Sequence, residues 1–291
     1  MGTFSNSWNL MKMCFKVLKS DPEILLFPIL SGLAIIIAIA TFIFGFAAVI
    51  FSVGILAGFA DWLGLLIWPA MFIYYIVTYF IVIFFNVAVI GCATIRLNGG
   101  DPTLGDGFKI AFKHIGKIFL WALISATVGI ILQMLRSGKG VAGLIGRIVA
   151  SIIGVAWSIV TYFVVPVMIY EDVGPIGSIK RSVQIIRGIW GESAVANIGL
   201  GFAMFVLSIP GILAMIMGFI LLFVGSANGS AALAVIGIVL IVLSFLWFLG
   251  LAVVNSAAKG VLLAALYRFA RTGDAGQNMD PYLIQNVLRP A

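Results

Sequence analysis

The sequence predicts an all-α, polytopic membrane protein: a helical bundle of six transmembrane helices plus three amphipathic interfacial helices, in three helix-plus-hairpin units. Three observations predict it. The 291 residues are 63% hydrophobic and 9% charged, with a mean hydropathy of +1.23, whereas a soluble domain is about half apolar and about a quarter charged. The charged residues are separated by long uncharged runs. Ahead of each pair of runs lies a segment whose apolar and cationic residues fall on different helical faces. Seventeen Lys+Arg, ten Asp+Glu and one His cannot cover a water-soluble surface of this size. That excludes a soluble enzyme, a nucleic-acid module and a disordered regulator.

The spans follow from the charge gaps. No charge lies between Glu23 and Asp61, Asp61 and Arg96, Lys117 and Arg136, Arg147 and Glu171, or Glu192 and Lys259. A helix crosses the hydrocarbon in roughly 20 apolar residues. The first, second and fourth gaps hold one crossing each, and the third, Ile118 to Leu135, is near the minimum. The fifth holds two, with residues 225–230 as the turn between them. Six spans result, near 24–53, 66–95, 118–136, 143–169, 192–224 and 231–258. Continuous apolarity, rather than alternation, excludes a closed barrel. The first run is far longer than a secretory apolar region and lacks a clear small-residue cleavage site, so it reads as an anchor.

The interfacial helices follow from periodicity. Phe4, Trp8, Met11, Phe15 and Leu18 share one helical face, with Lys12, Lys16 and Lys19 on another. Before the third span Leu104, Phe108, Ala111, Phe112, Ile115 and Phe119 oppose Asp106, Lys109, Lys113 and Lys117. Before the fifth, Ile176, Ile179, Val183, Ile186 and Trp190 oppose Lys180, Arg181, Gln184 and Arg187. Such stripes describe helices lying in the membrane interface. The chain reads as one integral membrane domain, 1–291, with units 1–100, 101–173 and 174–291. Helix starts fit this division. Asp101-Pro102 and Asp280-Pro281 each place a capping carboxylate before a proline at the first helical position, Ser20-Asp21-Pro22-Glu23 adds capping-box spacing, and Gly174-Pro175 is a looser version.

Lys and Arg favour the cytoplasmic side. With the N-terminus inside, fourteen of the 17 cations fall inside, and only Arg136, Lys139 and Arg147 fall outside. The expectation is a multi-pass protein of a prokaryotic plasma membrane with both termini cytoplasmic. Trp8, Trp62, Trp68, Trp121 and Trp190 fall near the expected interfaces, whereas Trp157 and Trp247 sit deeper as packing residues.

No charged side chain falls near the middle of a span, which argues against proton pumping through a buried carboxylate. Asn86, Asn197 and Asn255 lie two or three turns from the cytoplasmic side and can converge on one polar cluster in the membrane. Both a constriction and plain interhelical hydrogen bonding stay open for them. Gly211, Gly218 and Gly225 repeat at heptad spacing, and Gly54 and Gly58 pair in the first span, which suits close helix packing within the protomer or between copies. Pro210 and Pro166 are expected to kink the fifth and fourth spans.

Catalytic signatures are absent from the sequence. Cys14 and Cys92 have no CxxC partner. His114 stands alone on a basic surface helix without a second ligand, so no metal is expected. Glu171-Asp172 reads as a cap for the Gly174-Pro175 turn. No enzyme, no cofactor and no nucleic-acid partner is expected. The expected partner is the lipid bilayer, with anionic phospholipid headgroups contacting Lys12, Lys16, Lys19, Lys109, Lys113, Lys117, Lys180, Arg181 and Arg187. A homo-oligomer stays open.

The run Tyr79-Phe80-Ile81-Val82-Ile83-Phe84-Phe85-Asn86, then Gly99-Gly100-Asp101-Pro102-Thr103, Asp106-Gly107 and Trp121-Ala122-Leu123-Ile124-Ser125-Ala126-Thr127-Val128-Gly129, resembles an uncharacterised prokaryotic family of six-span integral membrane proteins. Leu25-Leu26-Phe27-Pro28, Val164-Val165-Pro166-Val167, Lys180-Arg181-Ser182 and Trp190-Gly191-Glu192 extend the resemblance over nearly the whole chain. It implies the six-span fold and carries no activity. Two function classes remain. One is a passive channel or facilitator for a small solute, using the asparagines. The other is a lipid-binding, membrane-organising or accessory subunit, using the basic helices.

Overall fold

The computed structural model describes residues 3–55, 60–277 and 279, with side-chain surroundings for all of these but 3–8, 10, 50–55, 60–67, 142, 188–199 and 202. Among the described residues there are nine α-helices, one 3-10 turn and no strand. In order they are α1 (Thr3–Ser20), the 3-10 turn (Pro22–Leu25), α2 (Leu26–Ile55), α3 (Ala60–Leu97), α4 (Leu104–Lys113), α5 (Ile115–Arg136), α6 (Gly140–Val160), α7 (Val164–Tyr170), α8 (Pro175–Ala227) and α9 (Ala231–Thr272). Six stretches are long and apolar enough to cross a membrane: Pro22–Val49, Trp68–Leu97, Ile115–Arg136, Gly143–Tyr170, Ala203–Ala227 and Ala231–Thr272. The chain is an all-helical, multi-pass membrane protein. It divides into two compact units, one of Met1–Leu25, Arg96–Gly100 and Ile189–Ala291, the other of Leu26–Ile95 and Asp101–Gly188.

In the second of these units α3 is the inner helix. Half of its span is buried, against 28% for α5 and 17% for the stretch through α6 and α7. Val87, Ala88 and Ala93 are fully enclosed. Phe84 meets Phe112 edge to face at 5.1 Å, and Phe27 meets Phe108 at 5.4 Å. A Cβ on Gly107 would collide with Phe27 and come within 2.9 Å of Cys92 Sγ, so glycine is what lets α4 lie this close. Trp121, expected at an interface, is instead buried and stacks on Trp157 at 5.8 Å. Its α5 neighbours Ala122, Ser125 and Ala126 are small and buried with it. Trp68 remains exposed.

The fourth crossing breaks just upstream of Pro166, between α6 and α7. The proline ring clashes with the carbonyl four residues back, Tyr162, and supplies no N–H to it. The Phe163 N–H at the break donates to Ser182 Oγ (3.1 Å). In the other unit, a Cβ on Gly211 would come within 2.6 Å of Trp247, and one on Gly218 within 2.9 Å of the Gly237 carbonyl. The heptad glycines of α8 are therefore covered by α9 of the same chain. Helix α8 continues through Pro210. Trp247 Nε1 donates to the Leu207 carbonyl (3.1 Å), next to the Val206 carbonyl that Pro210 deprives of its helical donor.

Several boundaries differ from expectation. The third basic segment is no separate interfacial helix. It is the first part of α8, 53 residues long, because nothing between Gly174 and Pro210 terminates a helix, and single glycines cost only about 1 kcal/mol each. The turn before α9 is shorter, 228–230, closed by Gly229 at φ +67° and a Ser230 N–H to Gly225 carbonyl bond of 2.9 Å. Helix α9 runs on past Lys259 to Thr272, where Gly273 adopts φ +74°. The N-cap of α4 is Thr103 rather than Asp101. As expected, α8 starts at Pro175. Asp280-Pro281, Arg289 and Gly58 lie outside the described residues, as do the side chains of Asn197, Trp8, Trp62, Trp190 and Gly54.

Candidate functional site

The basic residues sort themselves by their partners. On α1, Lys12, Lys16 and Lys19 stand at helical spacings of four and three, all exposed. The opposite face, with Met11, Cys14, Val17 and Leu18, is buried. Helix α1 packs on α9 and on the 3-10 turn, and Ala258, Val261, Leu262 and Leu266 of α9 are buried as well. Met11 and Leu18 of the apolar stripe therefore seat on protein, where an interfacial helix would present them to lipid, while Phe15 is half-buried. The cause is the extra length of α9, which carries apolar residues beyond Lys259.

Two open recesses flank α1. One, of about 610 Å³, reaches from Lys12 and Phe15 to Leu207, Trp247, Gly250 and Leu251. The other, of about 590 Å³, runs from Lys12 and Phe15 past Lys16 and Lys19 to Pro22 and Leu25. Lys12, Phe15 and Val254 line both. Among the described residues none of the three lysines forms a salt bridge.

The end of α1 is held by a clasp that sequence reasoning missed. Asp21, expected as a helix cap, is buried and pairs with Arg96 Nε. Arg96 also donates to the Ser20 and Gly100 carbonyls, both at 3.3 Å. Arg268 reaches Asn98 Oδ1 and, at 2.8 Å, Asp274. Its guanidinium holds the Asp274 carboxyl below the usual carboxylate range. The one available signal was the isolation of these charges between apolar runs.

In the unit holding α4, Lys109 and Lys113 are exposed, as are Lys180 and Arg187 on α8. Lys117 and Arg181 are committed elsewhere. Lys117 pairs with Asp172, and its ammonium pulls that carboxyl down from its ordinary value. Arg181 Nε donates to both oxygens of Glu171 (3.1 and 3.0 Å), and its Nη1 to Gln184 (3.2 Å). Glu171 and Asp172 thus lock the α7–α8 corner by ion pairs. Of the nine expected lipid contacts, seven are exposed without a salt bridge among the described residues.

His114, expected on a basic surface, is buried in the one-residue break between α4 and α5, its Nδ1–H donating to the Ile110 carbonyl (2.9 Å). Asn86 is half-buried on α3 in one unit, and Asn255 half-buried on α9 in the other. Asn255 Oδ1 is buried without a hydrogen-bond partner among the described residues. A model of a family described as a family of unknown function (DUF6159) matches residues 65–277. No curated protein matches the chain.

Proposed function

The chain belongs to the DUF6159 family, a family of unknown function, and we propose on that premise a non-enzymatic, lipid-binding component of a prokaryotic plasma membrane. Both termini lie in the cytoplasm, where positive residues are retained, and the protein gathers anionic phospholipid around its basic ends as a membrane-organising or accessory subunit. The observation carrying this reading is the set of exposed cations with no salt bridge among the described residues: Lys12, Lys16, Lys19, Lys109, Lys113, Lys180 and Arg187. Near an anionic leaflet each contributes roughly 1 kcal/mol of attraction.

Extraction of the full chain in polymer nanodiscs from membranes of mixed headgroups tests it. Anionic lipid is enriched over the bulk ratio around the wild type, and the enrichment falls in a Lys12→Gln, Lys113→Gln, Arg187→Gln variant. An unchanged ratio overturns the reading. A second reading, a passive facilitator for a small solute, is favoured by Asn255 Oδ1, a buried acceptor in the last apolar stretch with no donor among the described residues. Solute flux in proteoliposomes that is lost in Asn86→Leu or Asn255→Leu supports that alternative.

A further inference from the structure

We propose that a single anionic diacyl phospholipid has a specific seat beside α1, its phosphate held by Lys12, Lys16 and Lys19 and its two chains lying in the recesses that share Phe15 as a wall. The proposal rests on the lipid-binding reading above and narrows it from a diffuse attraction to one saturable site.

Geometry and charge carry it together. The first recess ends on Leu207, Leu246 and Trp247, within the stretches Ala203–Ala227 and Ala231–Thr272 that enter the hydrocarbon. The second ends on Pro22 and Leu25, where the first crossing begins. The recesses, about 610 and 590 Å³, are of the size that encloses an apolar ligand, roughly 300–1,000 Å³. Their floors are apolar. The Trp247 indole N–H, the one indole N–H in their lining among the described residues, is already spent on the Leu207 carbonyl. Among the described residues, the charged groups at the rim are the three ammoniums, and no carboxylate lines either recess. A neutral amphiphile would fill the floors and leave the cations unmatched. Free phosphate would match the cations and leave the floors empty. One anionic head carrying two chains satisfies both, with Lys12 at the junction of the recesses.

Gly250 supplies a clean test. It lines the first recess, and a Cβ there would meet no described atom within 4 Å, so the side chain of Gly250→Leu leaves the backbone unobstructed and takes up space in the recess without a change of charge. Native mass spectrometry of the full chain, delipidated and titrated with phosphatidylglycerol, reads the outcome. The wild type retains one phosphatidylglycerol at a concentration at least tenfold below that needed for phosphatidylcholine of the same chains, and inorganic phosphate does not displace it. Gly250→Leu weakens the retained lipid at least tenfold while the anionic enrichment in nanodiscs is unchanged. Lys12→Gln, Lys16→Gln, Lys19→Gln together abolish the headgroup preference. A graded series of adducts in the wild type, without a preferred single one, overturns the seat even if enrichment persists. Equal retention by Gly250→Leu overturns it too. Displacement by phosphate alone reassigns the site to free anions and overturns the lipid.

Discussion

Cys14 is fully buried on the face of α1 that packs on α9, and burial pushes its thiol up to about 12. An ordinary thiol titrates near about 8.5, and the thiolate is the reacting species. In a Cys92→Ala background, maleimide labelling of the folded protein is therefore slow throughout pH 7 to pH 9, and its rate is still climbing at pH 9 because the thiol stays far below its titration point. Unfolding in denaturant restores fast labelling, whose rate levels off above about pH 8.5. Fast labelling of the folded chain would show that α1 does not seat on α9. The sequence marks Cys14 only as a thiol without a CxxC partner, because the periodic apolar stripe of α1 runs through Met11, Phe15 and Leu18. The buried face is centred instead between Met11, Cys14 and Leu18, a rotation that the length of α9 imposes. Asp21 is hidden from the sequence for a similar reason. A carboxylate before proline looks like a cap from its neighbours alone, whereas its partner Arg96 lies 75 residues away.

Helix identity was legible wherever apolar runs are bounded by charge, and helix ends were legible where proline or glycine stops the chain. Pro175 starts α8 where expected, Pro166 lies just past the break in the crossing it is expected to kink, and Gly273 ends α9 well beyond the expected 258. Where no breaker stands, as around Trp190 and after Lys259, a basic stretch does not end a helix, and the expected boundaries dissolve into α8 and α9. The start of α4 shows the converse. Thr103 Oγ1 accepts from the Asp106 N–H (3.2 Å), while Asp106 Oδ2 accepts from the Thr103 hydroxyl (2.7 Å) and N–H (3.0 Å). The Thr103 hydroxyl, then its N–H, and then Lys109 hold the Asp106 carboxyl below its usual value. A folded value below the unfolded one gives stability that is present above about pH 4 and lost as pH falls through the folded value. Thr103→Ala should cost about 1 kcal/mol near neutrality. It should also shrink the drop in Tm between pH 6 and pH 3, since part of that drop is the protonation of Asp106. An undiminished drop would assign the acid sensitivity to other carboxyls, Asp172 and Asp274 first.

Crossing number could be read along the chain because each apolar run reports on its own solvent. Which carboxylate neutralises which cation could not, because that depends on segments far apart in sequence meeting in the fold. The unit containing α1 is assembled from three such segments, Met1–Leu25, Arg96–Gly100 and Ile189–Ala291. Polar bonds join them around Arg96–Gly100: Asp21 to Arg96, Arg268 to Asn98, and the Gln277 N–H to the Leu97 carbonyl (2.9 Å). Hydrophobic burial cannot specify this junction alone, since most of each span's surface is apolar and interchangeable in lipid. The buried pair supplies register. The Asp21 side chain is 3% exposed and that of Arg96 21%, so removing the guanidinium leaves a nearly dry carboxylate behind. Stranding a buried charge costs about 3–5 kcal/mol, and the partial exposure of Arg96 puts Arg96→Gln near the lower figure. Asp21→Asn should cost less, because it leaves a cation that can still turn to water and to the Ser20 and Gly100 carbonyls. The double variant Asp21→Asn, Arg96→Gln should then be more stable than Arg96→Gln alone, with a coupling of about 1 kcal/mol or more in a double-mutant cycle. Urea unfolding in lipid nanodiscs measures all four corners. Strict additivity would mean that the two charges are neighbours without being partners, and that the apolar contact of α1 with α9 sets the register unaided.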